Sequence, residues 1–131
     1  MVRLGHRVAV VTGRLLDSDL VIRSIGVATA VSGLSLVAAP RTALLAMGAR
    51  TDDPAPLLFR VVGMFMTVSG GLLTEDADNP RVLRWSLVQK AGAVTGMTLG
   101  VVGGQYRSPA LLVAGFDGLC AALIARRLLR R

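Results

Sequence analysis

The stretch GAVTGMTLGVVGG, residues 92–104, places glycine at every fourth position and contains no charged side chain. In water, glycine weakens a helix by about 1 kcal/mol relative to alanine. In lipid, hydrophobic attraction between helices is weak, and small residues spaced four apart let two helix backbones approach closely. The stretch therefore predicts a membrane helix that packs, within the chain or against another copy, through a glycine zipper of Gly92, Gly96, Gly100 and Gly104.

The rest of the chain is apolar as well. It has 131 residues, of which 53% are hydrophobic and 4% aromatic, and its mean hydropathy is +0.61. Four apolar stretches lie at about 20–39, 56–73, 82–103 and 109–125, and each is long enough to cross a hydrocarbon core of about 30 Å. A soluble four-helix bundle would show a polar face at helical spacing, whereas these stretches are apolar nearly all round. The sequence predicts an all-α integral membrane four-helix bundle, one domain over residues 1–131.

The N-terminal basic segment, residues 1–19, suggests two other interpretations. The first apolar stretch is too long for the core of a cleaved signal peptide, and no small-x-small cleavage site followed by a soluble domain appears. The segment VAVVTG, residues 8–13, resembles the first strand of a short-chain dehydrogenase, but the phosphate-binding glycines and a βαβ unit are missing. We therefore expect the first stretch to be retained as a transmembrane helix.

Each helix is predicted to start at a residue that favours the N-cap position. Such a residue accepts a hydrogen bond from a free N–H of the first turn, and a proline just after it suits that turn. An unsatisfied N–H is especially costly near lipid. The predicted starts are the Asp17–Asp19 segment, Asp53 before Pro54, Asn79 before Pro80 and Ser108 before Pro109.

The arginines outside the apolar stretches, together with Arg84 near the start of the third stretch, predict the orientation. Nine lie on the side of the termini, where the basic tail, residues 126–131, also lies, and three lie on the other side; the nine are Arg3, Arg7, Arg14, Arg81, Arg84, Arg126, Arg127, Arg130 and Arg131, and the three are Arg41, Arg50 and Arg107. Positive residues favour the cytoplasmic side, so both termini are expected there, in the plasma membrane. The net charge of +7 is then explained by residues that set the orientation in the membrane and attract anionic lipid. Nucleic-acid binding is not supported, since no recognition motif or interleaved aromatic residues are present.

Four charged residues lie inside the apolar stretches. Arg23 is near a helix end, from which its side chain can reach the interface. Lys90 and Asp117 each lie about 12 Å from the start of their helix, and these two starts are on opposite sides of the membrane, so their heights differ by about 6 Å in a core of about 30 Å. Arg60 can reach towards Asp117 or towards the headgroups. Intramembrane charges usually face the protein interior, so we predict a polar cluster of Arg60, Gln89, Lys90 and Asp117.

This cluster allows more than one interpretation. It can be a buried ion pair that sets helix register, or a pocket for a lipid headgroup, a small polar ligand or a transported ion. Catalysis by an acid–base aspartate is a third alternative, although no catalytic, cofactor or metal-binding residues are predicted. His6 lies outside the stretches, Cys120 has no histidine partner and is typical of packing, and no metal-ligand cluster occurs.

Small faces on the other helices match the glycine ladder. Gly26 and Gly33 lie in the first stretch, and Gly63, Gly70 and Gly71 lie in the second. Such residues allow tight helix crossings. We expect Gly63 and Gly70, together with the ladder, to be helix-packing positions.

Three segments carry a family resemblance: LLFRVVGMFMTVSGGLL at 57–73, WSLVQKAGAVTGMTLGVVGG at 85–104 and SPALLVAGFDGLCAALI at 108–124. Together they resemble small four-helix bacterial membrane proteins that are DoxX-like in a loose sense. The resemblance implies a fold and little chemistry. Fourteen arginines against one lysine also suggest a GC-rich bacterial genome.

The expected function is that of a small multi-pass membrane protein, a structural or accessory subunit without a cofactor. Its expected partners are membrane lipids, and either further copies of itself or a larger membrane complex. The alternatives are a lipid or small-molecule binder or transporter that uses Arg60, Lys90 and Asp117, and a membrane enzyme.

Overall fold

Helices account for most of residues 18–130, the part of the chain that the computed structural model describes. They are α1 (Asp19–Ala38), α2 (Pro40–Ala46), α3 (Ala55–Glu75), α4 (Pro80–Val102) and α5 (Ala110–Leu129). No strand occurs in this part of the chain. The four long helices match the four apolar stretches. Arg3, Arg7, Arg14 and Arg131, which the orientation prediction counts, lie outside the described residues.

The short helix α2 and the length of α5 differ from the expectation. Pro40 cannot continue α1 because it has no N–H, and it begins α2 at its first position instead. At the other end, α5 continues through Arg126 and Arg127 to Leu129, so the basic tail is largely helical. Arginine is a good helix former, and positive charge at a helix C-terminus interacts favourably with the helix dipole.

Two of the four expected N-caps form. The Ser18 side chain accepts a hydrogen bond from Val21 N at 3.4 Å, and Asn79 accepts one from Arg81 N at 2.9 Å. The caps expected at Asp53 and Ser108 are wrong, because Pro54 and Pro109 themselves occupy the cap positions and no side chain caps either helix. Tight backbone turns begin these helices instead, in which Ala55 N donates to Asp52 O and Ala110 N to Arg107 O, both at 3.0 Å.

Helices α1 and α3 form the tightest pair, and glycines make this close approach feasible. A Cβ added to Gly33 would lie 2.5 Å from Gly63 O, and one added to Gly63 would lie 2.5 Å from Gly33 O. Gly26 and Gly70 meet the opposing helix in the same way: a Cβ on Gly70 would lie 2.6 Å from Gly26 O. The backbones are thus in direct contact, as small residues permit.

The glycine ladder of α4 does not form a seam of this kind within the described residues. A Cβ at Gly92 or Gly96 would meet nothing within 4 Å, and Gly100 is covered by the ring of Tyr106. Gly104 lies beyond the end of α4 with φ +72°, where Gln105 N and Tyr106 N both donate to Gly100 O. It therefore terminates the helix in the left-handed conformation that glycine favours.

Helices α4 and α5 form a second pair, and the two pairs meet at the end of the molecule that holds the start of α1 and the end of α5. A buried apolar cluster joins them there: Ile22, Ile25, Leu73, Ala77, Leu83, Cys120 and Ile124. At the opposite end, Arg107 N donates to Met47 O at 3.0 Å. Between these ends a cavity of about 500 Å³ separates the pairs, lined largely by apolar residues and by Gly96.

The outer faces of the helices are apolar and exposed. Phe65 on α3 is 72% exposed, Val31 on α1 is 56% exposed and Leu112 on α5 is 79% exposed. Helices α1 and α3 are long and apolar enough to cross a membrane. Helices α4 and α5 do not meet the same criterion, and they carry the charged residues Arg81, Arg84, Lys90, Asp117, Arg126 and Arg127.

Candidate functional site

Lys90 of α4 and Asp117 of α5 form a buried ion pair. Lys90 Nζ lies 2.6 Å from Asp117 Oδ1, and the two side chains are only 3% and 7% exposed. Nζ also lies 6.0 Å from the centroid of the Phe116 ring, within the range of a cation–π contact. Each charge is therefore neutralised by the other inside the protein.

Helical spacing brings these two side chains to the contact between α4 and α5. The buried positions of α4 include Leu83, Ser86 and Lys90, and those of α5 are Ala110, Ala114, Asp117, Cys120 and Ile124. Steps of three and four residues lie on one face of a helix. The small side chains on the face of α5 leave room for the lysine stem, which carries Nζ to the carboxylate.

Gln89 belongs to a different contact. Its Oε1 accepts a hydrogen bond from the Ser69 hydroxyl of α3 at 2.7 Å. Neighbouring residues on a helix point about 100° apart, so Gln89 faces α3 while Lys90 faces α5. The two side chains thus connect α4 to both of its neighbours.

Arg60 lies apart from the lysine–aspartate pair. Its side chain is exposed and lines a recess with Arg41 and Asp53 at the opposite end of the molecule from the apolar cluster. The predicted cluster of Arg60, Gln89, Lys90 and Asp117 is therefore divided among three locations, and only Lys90 and Asp117 contact each other.

Two further arginines link the helices near the start of α1 and the end of α5. Arg127 of α5 binds Asp19 at the start of α1, and it also lies 2.7 Å from Asp78 Oδ1 in the α3–α4 turn. Arg23 donates to the carbonyl of Thr74 at 2.5 Å, near the C-terminus of α3. Sequence reasoning missed the Arg127 contacts, although the predicted topology had already placed these charges at the same end.

The arrangement around the ion pair is suited to holding helices together. Each member already has a partner of opposite charge, so no free charge faces an incoming ligand there. Within residues 18–130, no group of three or more His, Cys, Asp or Glu side chains could hold a metal ion. Cys120 is buried and free, and it packs in the apolar cluster. His6 lies outside the described residues.

Comparisons with known protein families, with characterised proteins and with solved structures find no match. The resemblance to DoxX-like membrane proteins therefore stays a prediction.

Proposed function

We propose that the chain is a multi-pass protein of the bacterial plasma membrane with both termini in the cytoplasm, and that it acts as a small structural or accessory subunit. The observation that carries this proposal is the exposed apolar surface. Large apolar side chains cover the outward faces of α1 and α3, the two helices long and apolar enough to span a membrane. In water such a surface would drive association, whereas lipid chains solvate it.

The ion pair supports the placement of α4 and α5 in the same membrane. A lone charge in lipid costs about 2.5–3.5 kcal/mol on insertion scales. Lys90 and Asp117 neutralise each other away from the surface, and Ser69 bonds the polar Gln89. These helices can therefore cross lipid as a pair with α1 and α3, which makes a four-helix bundle.

The site geometry favours a packing role over a ligand-binding role for the buried charges. Lys90 and Asp117 contact each other directly, and Arg60 is too distant in the fold to complete a common pocket with them. The open face of α4 at Gly92 offers a surface on which another membrane helix can pack closely. We infer that this helix belongs to another copy of the chain or to a larger membrane complex.

Membrane fractionation and cysteine labelling test the topology. The chain should stay in the membrane after alkaline carbonate extraction. With Cys120 replaced by Ala, an impermeant maleimide should label Ser108→Cys in intact cells, but Glu75→Cys only after permeabilisation, because these exposed residues lie at opposite ends. Release by carbonate, or the reverse labelling pattern, would contradict the proposal.

Energy transfer between labelled copies in vesicles tests the α4 face. Gly92→Leu should abolish association if the partner is another copy, because a large side chain would separate the packed helices. Gly115→Leu on α5 is the matched control, since a Cβ at either glycine meets nothing within 4 Å in the chain. If both variants associate like the wild type, the face is not an interface between copies.

A further inference from the structure

One recess is not part of the packing contacts described above, and it lies at the end of the molecule opposite the start of α1 and the end of α5. It has a volume of about 570 Å³ and lies between the α1–α2 corner and the first turns of α3. Its polar lining consists of the guanidinium groups of Arg41 and Arg60, the hydroxyl of Thr42 and the carboxylate of Asp53. Pro56 and Leu57 line it with apolar side chains.

The two arginines of this recess have no ionic partner in the described part of the chain. Elsewhere Arg50 pairs with Asp52, and Arg127 pairs with Asp19 and Asp78. Asp53 also lines the recess, yet no ion pair joins it to Arg41 or Arg60. The three charged groups together leave a net charge of +1. A monoanion balances that charge, whereas a dianion would leave an excess negative charge beside Asp53.

The depth of Arg60 indicates where such an anion would come from. Arg60 is five residues beyond the start of α3, or about 8 Å along the helix axis, and its neighbours Leu57 and Val61 are exposed apolar residues. A charge at this position, just inside the helix end, lies near the level at which phospholipid phosphates meet the acyl chains. The planar guanidinium group donates two parallel hydrogen bonds to phosphate oxygens.

We propose that this recess binds the phosphodiester of a phospholipid, with Arg41 and Arg60 holding the phosphate and the exposed side chain of Leu57 contacting the glycerol and the first acyl carbons. The proposal rests on the membrane placement proposed above. It assigns Arg60 to the headgroup region rather than to the ion pair of α4 and α5.

Binding of soluble lipid analogues to the purified protein in detergent micelles tests this assignment. The probes are dihexanoyl-phosphatidylglycerol, dihexanoylglycerol, which lacks the phosphate, and inorganic phosphate. The phospholipid should bind the wild type at least about tenfold more tightly than either other probe. Arg60→Met and Arg41→Met should each weaken its binding by about tenfold, equivalent to about 1.4 kcal/mol.

Arg107→Met is the matched control, because Arg107 is exposed at the same end but does not line the recess. It should bind the phospholipid as the wild type does. Lysine at both positions should restore part of the affinity, since the charge returns without the fork geometry. Circular dichroism should show that the variants stay folded, because Arg41 and Arg60 form no ion pair or side-chain hydrogen bond with the described residues.

Three outcomes would overturn the proposal: unchanged binding in Arg41→Met and Arg60→Met, equal binding of dihexanoylglycerol, or equal binding of inorganic phosphate, which would make the site one for free phosphate. Carbonate extraction of the wild type separates this failure from failure of the proposed function. A wild type that stays in the membrane but shows no arginine dependence refutes only the recess. A wild type released from the membrane refutes the membrane placement, while the binding assay still decides the recess.

Discussion

Removing either member of the Lys90–Asp117 pair should destabilise the protein. Removing both should cost less than the sum of the two single losses. At 2.6 Å and an effective dielectric constant of about 20, the attraction between the two charges is about 6 kcal/mol. Part of that attraction offsets the free energy of bringing each charge out of water. A single variant loses the attraction and leaves the other charge buried without a partner.

Lys90→Met and Asp117→Asn should therefore each lower the free energy of unfolding by about 3–5 kcal/mol, the range for one-sided removal of a buried pair. The double variant leaves no buried charge, so its loss should be smaller than the sum by about 2 kcal/mol or more. The assay is reversible unfolding in mixed micelles, followed by circular dichroism, for the wild type and all three variants.

The chain supplies a matched control for this cycle. Arg50 and Asp52 are also 2.6 Å apart, but their side chains are 87% and 60% exposed. Water screens an exposed pair and leaves only a small coupling, so the effects of Arg50→Met and Asp52→Asn should be nearly additive. Additivity in the Lys90–Asp117 cycle as well would refute the reasoning, because it would mean that the two buried groups do not interact in the folded protein.

Two further predictions concern the α1–α3 seam and the α2–α3 loop. Gly63→Ala should lower the free energy of unfolding by about 1–3 kcal/mol, because its Cβ would lie 2.5 Å from Gly33 O, whereas Gly71→Ala on the same helix meets nothing within 4 Å and should be neutral or stabilising; equal losses would contradict a glycine-dependent seam. The side-chain hydrogen bond from Arg50 is the main reason that the pKa of Asp52 lies below its ordinary value. The pair therefore contributes a small stabilisation that is present when the pH is above the ordinary pKa of Asp52 and is lost as the pH falls through the lowered pKa. Arg50→Gln should return the Asp52 pKa towards the ordinary value in a carboxyl ¹³C NMR titration in micelles, and an unchanged titration would show that the pair does not form in solution.

Local patterns in the chain were enough to predict the four long helices and part of the candidate site. Apolar stretches of spanning length correspond to α1, α3, α4 and α5, and the caps at Ser18 and Asn79 follow from the hydrogen-bonding capacity of those side chains. Counting residues from the helix ends placed Lys90 and Asp117 at similar depths, and they are in contact. These features depend on neighbouring residues and on the fixed rise of a helix, both of which can be read along the chain.

Only the tertiary structure decided which small faces meet and where each polar side chain finds a partner. Gly92 and Gly96 have the same spacing as a packing motif, yet the close backbone contacts lie at Gly33 and Gly63. A glycine permits close approach but does not select a partner, because it has no side chain with which to recognise one. Arg60 likewise has a long side chain that can reach several depths, and the corner made by α2 places it in a recess with Arg41. Such choices depend on the mutual positions of helices that are distant in the chain, and the pattern along any one helix carries no information about them.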